Sequence, residues 1–345
     1  MARQAATDPE QPVNLEAKVA FLTTPDAYSD PTTRVRVVET HKSWVFLTDR
    51  FVHKLKKPIR YDSVDFRPLE TRRVNCWEEV RLNRRLAGDV YIGAVPLTVE
   101  SNGKLAINGA GRPVDWLVKM QRLPADLMLD RRILEGTLQP NDVERVATKL
   151  ARFYQSALAV ARDGARYRGW LFEDIGINQR DLATPVPGLL ADEARFVHTA
   201  QLGFLDREPE LFDRRFEAGR IVEGHGDLRP EHICLERDPV IFDCLEFDRR
   251  LRTLDAADEL AFLSMQCDRL GAPFVGVILF DTYTTITGDA PPERLINFYK
   301  SYRAAVWARL AVWRALELAP DARGKWIGRA NEYLQLARSY TGSLR

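Results

Sequence analysis

The residues of this chain that could do chemistry lie in one short polar segment and in the apolar run that follows it. The segment reads HGDLRPEH over residues 225–232, and the run VIF at 240–242 ends on Asp243. Asp227 lies in the polar loop, where its carboxylate could accept the proton of an attacking hydroxyl. Asp243 closes a short strand, where a carboxylate could hold a divalent cation against a triphosphate. The two acidic residues therefore point to phosphoryl transfer.

Two further residues of the polar segment fit the same chemistry. His225 is expected to brace the loop through hydrogen bonds, and Arg229 is expected to extend on the same side as Asp227 and to neutralise charge on a transferred phosphoryl group. Asp, Gly and Pro also form ordinary turns. The ordered combination of His, Asp, Leu, a basic residue and Pro, followed by a strand that ends on Asp, favours a catalytic loop.

The segment resembles the H-R-D-L-x-x-x-N catalytic loop of protein kinases, and it resembles even more the H-G-D-L-x-P-x-N loop of the aminoglycoside phosphotransferase family. This resemblance implies that Asp243 is a metal ligand, and His232 takes the position at which the family has Asn. An imidazole nitrogen suits Mn²⁺, Zn²⁺ or Co²⁺ better than Mg²⁺. His232 is predicted to join Asp243 at the metal. Three interpretations stay open: His232 ligates a softer metal, binds a water on Mg²⁺, or marks weakened catalysis.

The resemblance also implies a lysine that pairs with the nucleotide phosphates and a helical glutamate that holds it. The strand-like run FVHKLKK offers Lys54, with Lys56 as the alternative, because alternate side chains of a strand share a face. The run EVRLNRRL resembles the family's E-x-x-x-L-x-x-L helix and offers Glu79 as the partner. Glu78 and Glu70 compete for that role.

The remaining nucleotide contacts are also implied by the resemblance. The expected glycine-rich cover is absent, and Ser43 in the first hairpin turn is predicted to face the phosphates in its place. The backbone of Gln121, Arg122 and Leu123 is predicted to bind the adenine edge. The implied cofactors are ATP, not distinguished from GTP, and Mg²⁺, with Mn²⁺ as the alternative.

The resemblance extends over roughly residues 33–318. The stretches ETHKSWVFL, KLKKP and FDCLEF are similar to a bacterial phosphotransferase-like variety that often carries an additional P-loop domain. This sequence contains no G-x-x-x-x-G-K-[ST] motif. The run LDAADELA resembles the family's D-x-A-x-D-L-A helix start, in which Asp255 and Asp258 are predicted to be caps and loop braces rather than catalysts.

Hydrophobic periodicity predicts the elements that must position these residues. The first part is predicted to contain helices at 15–22 and 70–86, strands at 34–39, 44–47 and 51–55 joined as antiparallel hairpins, and strands at 92–99 and 114–120 that bracket a turn at 101–111. The second part is predicted to contain helices at 141–162, opened by an Asn/Asp cap, and at 190–205, 256–270, 273–285, 292–318 and 325–340. Its only strand-like pieces are 233–235 and 240–242.

This order of elements predicts an α+β fold. Together with the resemblance, it implies a bilobal protein-kinase-like, aminoglycoside phosphotransferase-like architecture with a small antiparallel-sheet N-lobe and a larger, mostly helical C-lobe. The predicted divisions are a disordered tail at 1–14, a nucleotide-binding N-lobe at 15–120, and a C-lobe at 121–345. The C-lobe would carry the catalytic loop and the substrate-binding helices.

Composition excludes several other classes. The 345 residues include 50 basic and 49 acidic side chains, so the formal charge of +1 gives no reason to expect nucleic acid or an anionic membrane as a partner. The four cysteines form no C-x-x-C pair, which favours a reducing cytoplasm. No apolar run is long enough to span a membrane, and the N-terminus lacks an apolar signal core. The expected assembly is a monomer or a homodimer.

The leading hypothesis is therefore an ATP-dependent phosphotransferase that moves the γ-phosphate to a hydroxyl of a small molecule, such as a sugar, amino sugar, amino alcohol or aminoglycoside-like compound. A nucleotide-binding, pseudokinase-like regulator with weak or no catalysis is the alternative. A third hypothesis treats His225, Asp227, His232 and Asp243 as a metallohydrolase cluster. The Lys54–Glu79 pair would have no role in that cluster.

Overall fold

The computed structural model of this chain describes residues 13–60, 64–160 and 164–344. It divides into two units. The sheet unit contains the described residues up to Leu127 together with Glu236–Arg249, and the helical unit contains Met128–Leu235 and the described residues from Arg250 onward. Residues 1–12 of the predicted tail lie outside the described part of the chain.

The sheet unit is built on one antiparallel sheet with the strand order β1-β2-β3-β6-β4-β5. Its strands are β1 (Arg36–Glu39), β2 (Ser43–Leu47), β3 (Phe51–Lys56), β4 (Tyr91–Val99), β5 (Leu105–Ile107) and β6 (Arg112–Gln121). The predicted antiparallel hairpins of the first three strands are present. The predicted turn at 101–111 contains β5, which is too short to give an alternation signal among its Asn and Gly neighbours.

Two helices pack on this sheet. They are α1 (Leu15–Leu22) and α2 (Leu69–Ala87), both close to their predicted bounds. A buried acidic residue on β6 ties them together, since Asp115 accepts from Lys18 of α1 and from Arg72 of α2, each at 2.7 Å. Breaking such a buried ion pair on one side leaves an uncompensated charge, so this contact fixes both helices against the sheet.

The helical unit contains longer elements. Its helices are α3 (Leu129–Leu134), α4 (Pro140–Ser156), α5 (Gly164–Leu182), α6 (Ala191–Arg207), α7 (Pro209–Glu217), α8 (Ala256–Arg269), α9 (Phe274–Thr287), α10 (Glu293–Leu316) and α11 (Gly324–Ser339). Its strands are β7 (Ile221–Glu223), β8 (Ile233–Cys234) and β10 (Thr253–Asp255), while β9 (Val240–Ile241) belongs to the sheet unit.

Helix α8 is the centre of this unit. Every residue from 256 to 267 is buried, and α8 packs against α9 and α10. Alanines at 304, 305, 308 and 311 of α10 are buried with Phe262 and Met265 of α8 in one apolar cluster. Small side chains let the helices approach closely, and the buried helix is therefore a rigid support for any loop attached to it.

Several sequence expectations are wrong in this unit. Helices α3, α5 and α7 were not predicted; glycines at 164, 169 and 176 weaken the apolar pattern of α5. Residues 233–235 and 240–242 are not the only strand pieces, because β7 and β10 form an antiparallel pair. Each of them has three residues, which is below the length that alternation reveals.

Helix α4 also differs from its prediction. It begins at Pro140 with Gln139 as the N-cap, and Gln139 and Asp142 form a capping box in place of the expected Asn/Asp cap. Proline suits the first helical position because its φ is already helical and its missing N–H would have no partner there. The helix ends at Ser156, and residues 161–162 of the predicted span lie outside the described residues.

Two composition-based expectations can be compared with the structure. All four cysteines are buried, and none of them is part of a disulfide. Among the described helices, none combines the length and the apolar character that a membrane span requires.

Two buried histidines make folding stability depend on pH. Burial, with Lys119 nearby, lowers the pKa of His53 to about 4, and burial lowers the pKa of His198 to about 4. Both are neutral in the folded protein but become protonated near pH 6.5 when unfolded. The part of the unfolding free energy that depends on their neutral form is therefore complete above pH 6.5. It is lost as the pH falls towards 4, at up to about 1.4 kcal/mol per pH unit for each histidine.

We expect the double variant His53→Gln/His198→Gln to lose less unfolding free energy than the wild type between pH 6.5 and pH 4. Urea unfolding at several pH values in this range measures the difference. Equal slopes for the two proteins would contradict the assignment.

Candidate active site

The sheet unit brings the predicted lysines and glutamate together. Lys54 and Lys56 lie on the same face of β3, and both reach Glu79 of α2. The Nζ of Lys54 lies 2.9 Å from Oε1 of Glu79, and the Nζ of Lys56 lies 2.5 Å from Oε2. The competing residues Glu78 and Glu70 pair with arginines of their own helix surface. The fully buried carboxylate of Glu79 therefore holds two lysines at once.

The two lysines have different second partners. Lys54 contacts Oδ1 of Asp243 at 2.7 Å, and Lys56 contacts Oε1 of Glu246 at 2.5 Å. Burial alone would lower the pKa of both lysines, but the neighbouring carboxylates outweigh it and raise both. The pKa of Glu246 is lowered, because Lys56 and Lys54 outweigh the opposing effect of burial. Lys54, Lys56 and Glu246 are therefore ionised near neutral pH.

The two lysines also differ in access to solvent. The side chain of Lys54 is 15% exposed and that of Lys56 is 2% exposed. Asp243, the second partner of Lys54, has a side chain that is 41% exposed, whereas that of Glu246 is 10% exposed. Lys54 and Asp243 can reach a ligand, and Lys56 and Glu246 lie beneath them as structural support.

Asp243 is held in a backbone conformation that is costly for a residue with a side chain. Its φ is +62°, in the left-handed region, which costs roughly 1–2 kcal/mol. Its N–H donates to the hydroxyl of Tyr91 at 3.2 Å, and the N–H of Cys244 donates to Oδ1 of Asn83 at 2.9 Å. These contacts from β4 and α2 hold the turn after β9, and the turn presents the Asp243 carboxylate beside Lys54.

The donor set of Asp243 suits a hard divalent cation. Mg²⁺ commonly binds through one or two carboxylates and completes its shell with phosphate oxygens and water. Within the residues that the structure describes, no three His, Cys, Asp or Glu side chains are grouped so that they could hold a metal by themselves. Asp243 therefore fits a cation that arrives with a phosphate ligand.

The remaining residues that are predicted to contact the nucleotide make mostly structural contacts within the sheet unit. The N–H of Arg122 donates to the carbonyl of Arg50 at 2.9 Å, and Gln121, at the end of β6, donates to the carbonyl of Asp89 at 3.4 Å. Leu123 is the next residue in the chain after Arg122. The N–H of Ser43 donates to the Thr40 hydroxyl at 3.0 Å and closes the hairpin turn.

In the helical unit, a buried glutamate fixes the polar loop. Glu259 of α8 accepts hydrogen bonds from the backbone N–H of His225 at 2.9 and 3.0 Å, from that of Gly226, and from the Tyr154 hydroxyl at 2.7 Å. A Cβ on Gly224 would lie 2.5 Å from Oε2 of Glu259. A side chain at this position would displace the carboxylate, so the chain passes directly over it before it reaches Asp227.

Sequence reasoning missed Glu259. Asp255 and Asp258 were expected to brace the loop, but Asp255 caps α8 through Ala257, and Asp258 pairs with Arg303 at 2.6 Å. The capping role of Asp255 is as predicted. The signal for Glu259 was present in the sequence, because ELA at 259–261 aligns with the D-L-A end of the family pattern and places Glu259 on its acidic position.

The loop brings all four of its predicted residues together. The N–H of Asp227 donates to Nδ1 of His225 at 3.3 Å, which matches the expected brace. Arg229 Nε lies 3.0 Å from Oδ1 of Asp227. His232 contacts Arg229 and the backbone carbonyl of Asp227, each at 2.9 Å. The other acidic residue of the predicted motif, Asp243, belongs to the sheet unit.

Replacing the two lysines separately distinguishes their roles. Lys56→Met removes the buried lysine that contacts both Glu79 and Glu246, so we expect a loss of about 3–5 kcal/mol in unfolding free energy. Lys54→Met leaves Glu79 paired with Lys56 and Asp243 open to water, so we expect a loss of about 1–2 kcal/mol.

Urea unfolding measures both variants of this pair. Lys57→Met is the matched control, because Lys57 pairs with Glu39, whose side chain is 54% exposed, and such pairs contribute below about 1 kcal/mol. A Lys56→Met protein as stable as the Lys57→Met protein would contradict the structural role of Lys56.

Changing Glu259 should loosen the polar loop. Glu259→Gln turns an amide NH₂ towards backbone donors, and we expect a loss of about 2–4 kcal/mol in unfolding free energy and faster amide exchange at residues 225 and 226. Tyr154→Phe removes one hydroxyl from the same carboxylate and should cost about 1 kcal/mol. Hydrogen exchange followed by mass spectrometry, together with urea unfolding, tests this. Equal effects of the two substitutions would count against the assignment.

The chain was compared with known protein families, curated sequences and solved structures. No family model matches the chain. Uncharacterised proteins of Mycobacterium tuberculosis and Mycobacterium bovis are each 33% identical over 295 residues, which make up 84% of this chain and 57% of the relative. The chain thus spans little more than half the length of these relatives.

Two solved structures share the architecture. A choline kinase from Cryptosporidium parvum Iowa II aligns with a TM-score of 0.52 at 10% identity, covering 94% of this chain and 93% of that one. An ethanolamine kinase from Plasmodium vivax aligns with a TM-score of 0.51 at 8% identity, covering 88% and 81%. The predicted α+β, bilobal protein-kinase-like fold is confirmed.

Proposed function

We propose that this chain, whose fold is kinase-like, is a phosphotransferase that moves the γ-phosphate of ATP to a hydroxyl of a small molecule. The main support is the convergence of Lys54 on Glu79 and Asp243. A buried glutamate, a lysine that can reach solvent and an exposed carboxylate form the set that a cation-bound triphosphate requires. The loop that carries Asp227 and Arg229 adds the groups for the acceptor.

The sheet unit would bind the phosphates. Lys54 would exchange its contact with Asp243 for phosphate oxygens, which frees the Asp243 carboxylate for the divalent cation. Glu79 would keep Lys54 in place, and Lys56 would keep Glu79 paired and oriented throughout. Bound Mg²⁺ would neutralise charge on the phosphate oxygens.

The helical unit would position the acceptor. Asp227 would accept the hydroxyl proton as the acceptor oxygen forms its bond to the γ-phosphorus and the bond to the bridging oxygen breaks, releasing ADP. Arg229 would neutralise charge on the transferred group. Because a loose phosphoryl transition state depends mainly on orientation, the fixed backbone under Asp227 contributes more than strong basicity would.

The choice of acceptors to test is supported by the chemistry and by the two structural neighbours. Because these are a choline kinase and an ethanolamine kinase, amino alcohols are the first compounds to try. Sugars, amino sugars and aminoglycosides offer hydroxyls to the same mechanism and complete the panel.

A second candidate is a nucleotide-binding regulator with weak or no catalysis. It is favoured by His232, which replaces the family's metal-binding Asn, and by the hairpin turn at Ser43, which contains no glycine-rich cover. Single-turnover transfer with bound ATP separates this candidate from the first.

The test is acceptor-stimulated ATP consumption across that panel, with Mg²⁺ and Mn²⁺ in parallel. Asp227→Asn should lower kcat by about 10²–10⁴-fold and leave ATP affinity within about twofold, because Asp227 contacts the acceptor rather than the nucleotide. Asp206→Asn, at an exposed position near the end of α6, is the control and should keep wild-type activity. Unchanged turnover in Asp227→Asn would overturn the assignment of Asp227. ATP binding without single-turnover transfer to any acceptor would favour the regulator.

A further inference from the structure

The hydrogen bonds of His232 determine which ring nitrogen carries the proton. Nδ1 lies 2.9 Å from the carbonyl oxygen of Asp227, and Nε2 lies 2.9 Å from Nη2 of Arg229. A carbonyl oxygen only accepts and a guanidinium only donates. Nδ1 therefore carries the hydrogen and Nε2 accepts, so the loop itself uses both nitrogens of the buried ring.

Arg229 is held from three directions. Its Nε lies 3.0 Å from Oδ1 of Asp227, its Nη2 contacts His232, and its guanidinium carbon lies 4.9 Å from the centre of the Trp307 ring. A guanidinium over the face of a Trp is attracted by the ring's electron density. An acidic group, an imidazole and an aromatic face thus converge on one cation beside Asp227.

The Trp307 ring is itself fixed by packing. It stacks on Phe262 of α8 with ring centres 6.1 Å apart, and it lies 5.9 Å from Tyr333 of α11. Helix α8 also carries Glu259, which binds the loop backbone. The same rigid helix therefore supports the loop from below through Glu259 and the Arg229 side chain from the side through Trp307.

We propose that His232 and Trp307 are positioning residues, which hold Arg229 and Asp227 in one arrangement, and that His232 is not a metal ligand. This differs from the metal role that the sequence pattern predicts for His232. Ligation through Nε2 would remove the acceptor of Arg229, and ligation through Nδ1 would remove the donor to the Asp227 carbonyl. The kinetic part of this inference rests on the proposed function.

The family's Asn could make only part of this arrangement. The amide of an Asn stands where Nδ1 of a histidine stands, so it can donate to the Asp227 carbonyl but does not extend to Arg229. The amide of a Gln reaches the position of Nε2 and can accept from Arg229, but it no longer donates to the Asp227 carbonyl. The variants His232→Asn and His232→Gln therefore keep one bond each, and His232→Ala keeps neither.

Ring-nitrogen NMR of the full chain tests the arrangement without any activity. The chain has five histidines, and loss of one signal set in His232→Gln assigns His232. Long-range ¹H–¹⁵N spectra should show the Nδ1–H tautomer, unchanged when Mg²⁺ and a non-hydrolysable ATP analogue are added. The Nε2–H tautomer, or ¹¹³Cd–¹⁵N coupling at His232 with Cd²⁺ as the probe, would overturn the proposal.

Kinetics of the variants provide a readout that a merely structural role would not move. We expect kcat to fall about tenfold or more in His232→Asn and His232→Gln, and further in His232→Ala, since each lost bond involves a charged group or the loop carrying Asp227. KM for ATP and the Mg²⁺ and Mn²⁺ activation constants should stay within about twofold. A tenfold change in the Mg²⁺-to-Mn²⁺ preference with kcat retained would overturn the proposal.

The aromatic face has its own matched control. Trp307→Leu should lower kcat about fivefold, and Trp307→Phe should recover most of it. Trp313 lies on the same helix, and the guanidinium carbon of Arg309 lies 4.7 Å from its ring centre. Trp313→Leu therefore removes a contact of the same kind that does not involve Arg229, and it should keep wild-type kcat. Equal kcat in Trp307→Leu and Trp313→Leu would contradict the role of Trp307. If the wild type transfers no phosphate, the proposed function fails and the NMR result alone decides this inference.

Discussion

A carboxylate that is removed from water must find charged or hydrogen-bonding partners inside the protein, and this constraint organises the candidate residues within each of the two units. In the sheet unit, Glu79 is fully buried and takes its partners from Lys54 and Lys56 on one strand. In the helical unit, the buried Glu259 takes its partners from the loop amides before Asp227 and from Tyr154. Each glutamate thereby fixes the backbone or side chain that would do the chemistry.

The backbone strain in this arrangement lies next to the groups that would react. Asp243 has a left-handed backbone at φ +62°, whereas Gly226 has φ +86°, which glycine adopts without a steric cost. A turn of this kind persists only where its surroundings hold it, and here Tyr91, Asn83 and Glu259 supply those contacts. The rigid element behind each turn is a helix, α2 in one unit and α8 in the other. The carboxylates of Asp227 and Asp243 therefore stand on short, restrained turns between well-packed elements.

The sequence predicted the elements with a strong periodic signal and missed the short or interrupted ones. The hairpins of β1, β2 and β3 and the helix that carries Glu79 were predictable, because alternation and helical spacing are local properties. Strands β7 and β10 have three residues each, and α5 is interrupted by glycines, so their patterns are too weak.

The sequence offered residue types for the candidate site but did not indicate which residues contact each other. Lys54 and Lys56 share a strand face, so the sequence could not tell which of them remains accessible; their second partners, Asp243 and Glu246, decide it. Glu259 lies 32 residues after Asp227, and its contact with the loop depends on tertiary folding. The surroundings of His232 depend on Arg229 and on Trp307, which comes from a distant helix.

The most direct test is ³¹P NMR of Mg·ATP mixed with stoichiometric protein and the pooled acceptors. The account predicts that the γ-phosphate signal of ATP disappears, that ADP forms, and that a new phosphate-ester signal grows at the same rate. ATP that remains unconverted in the presence of every acceptor, whether bound or free, would contradict it.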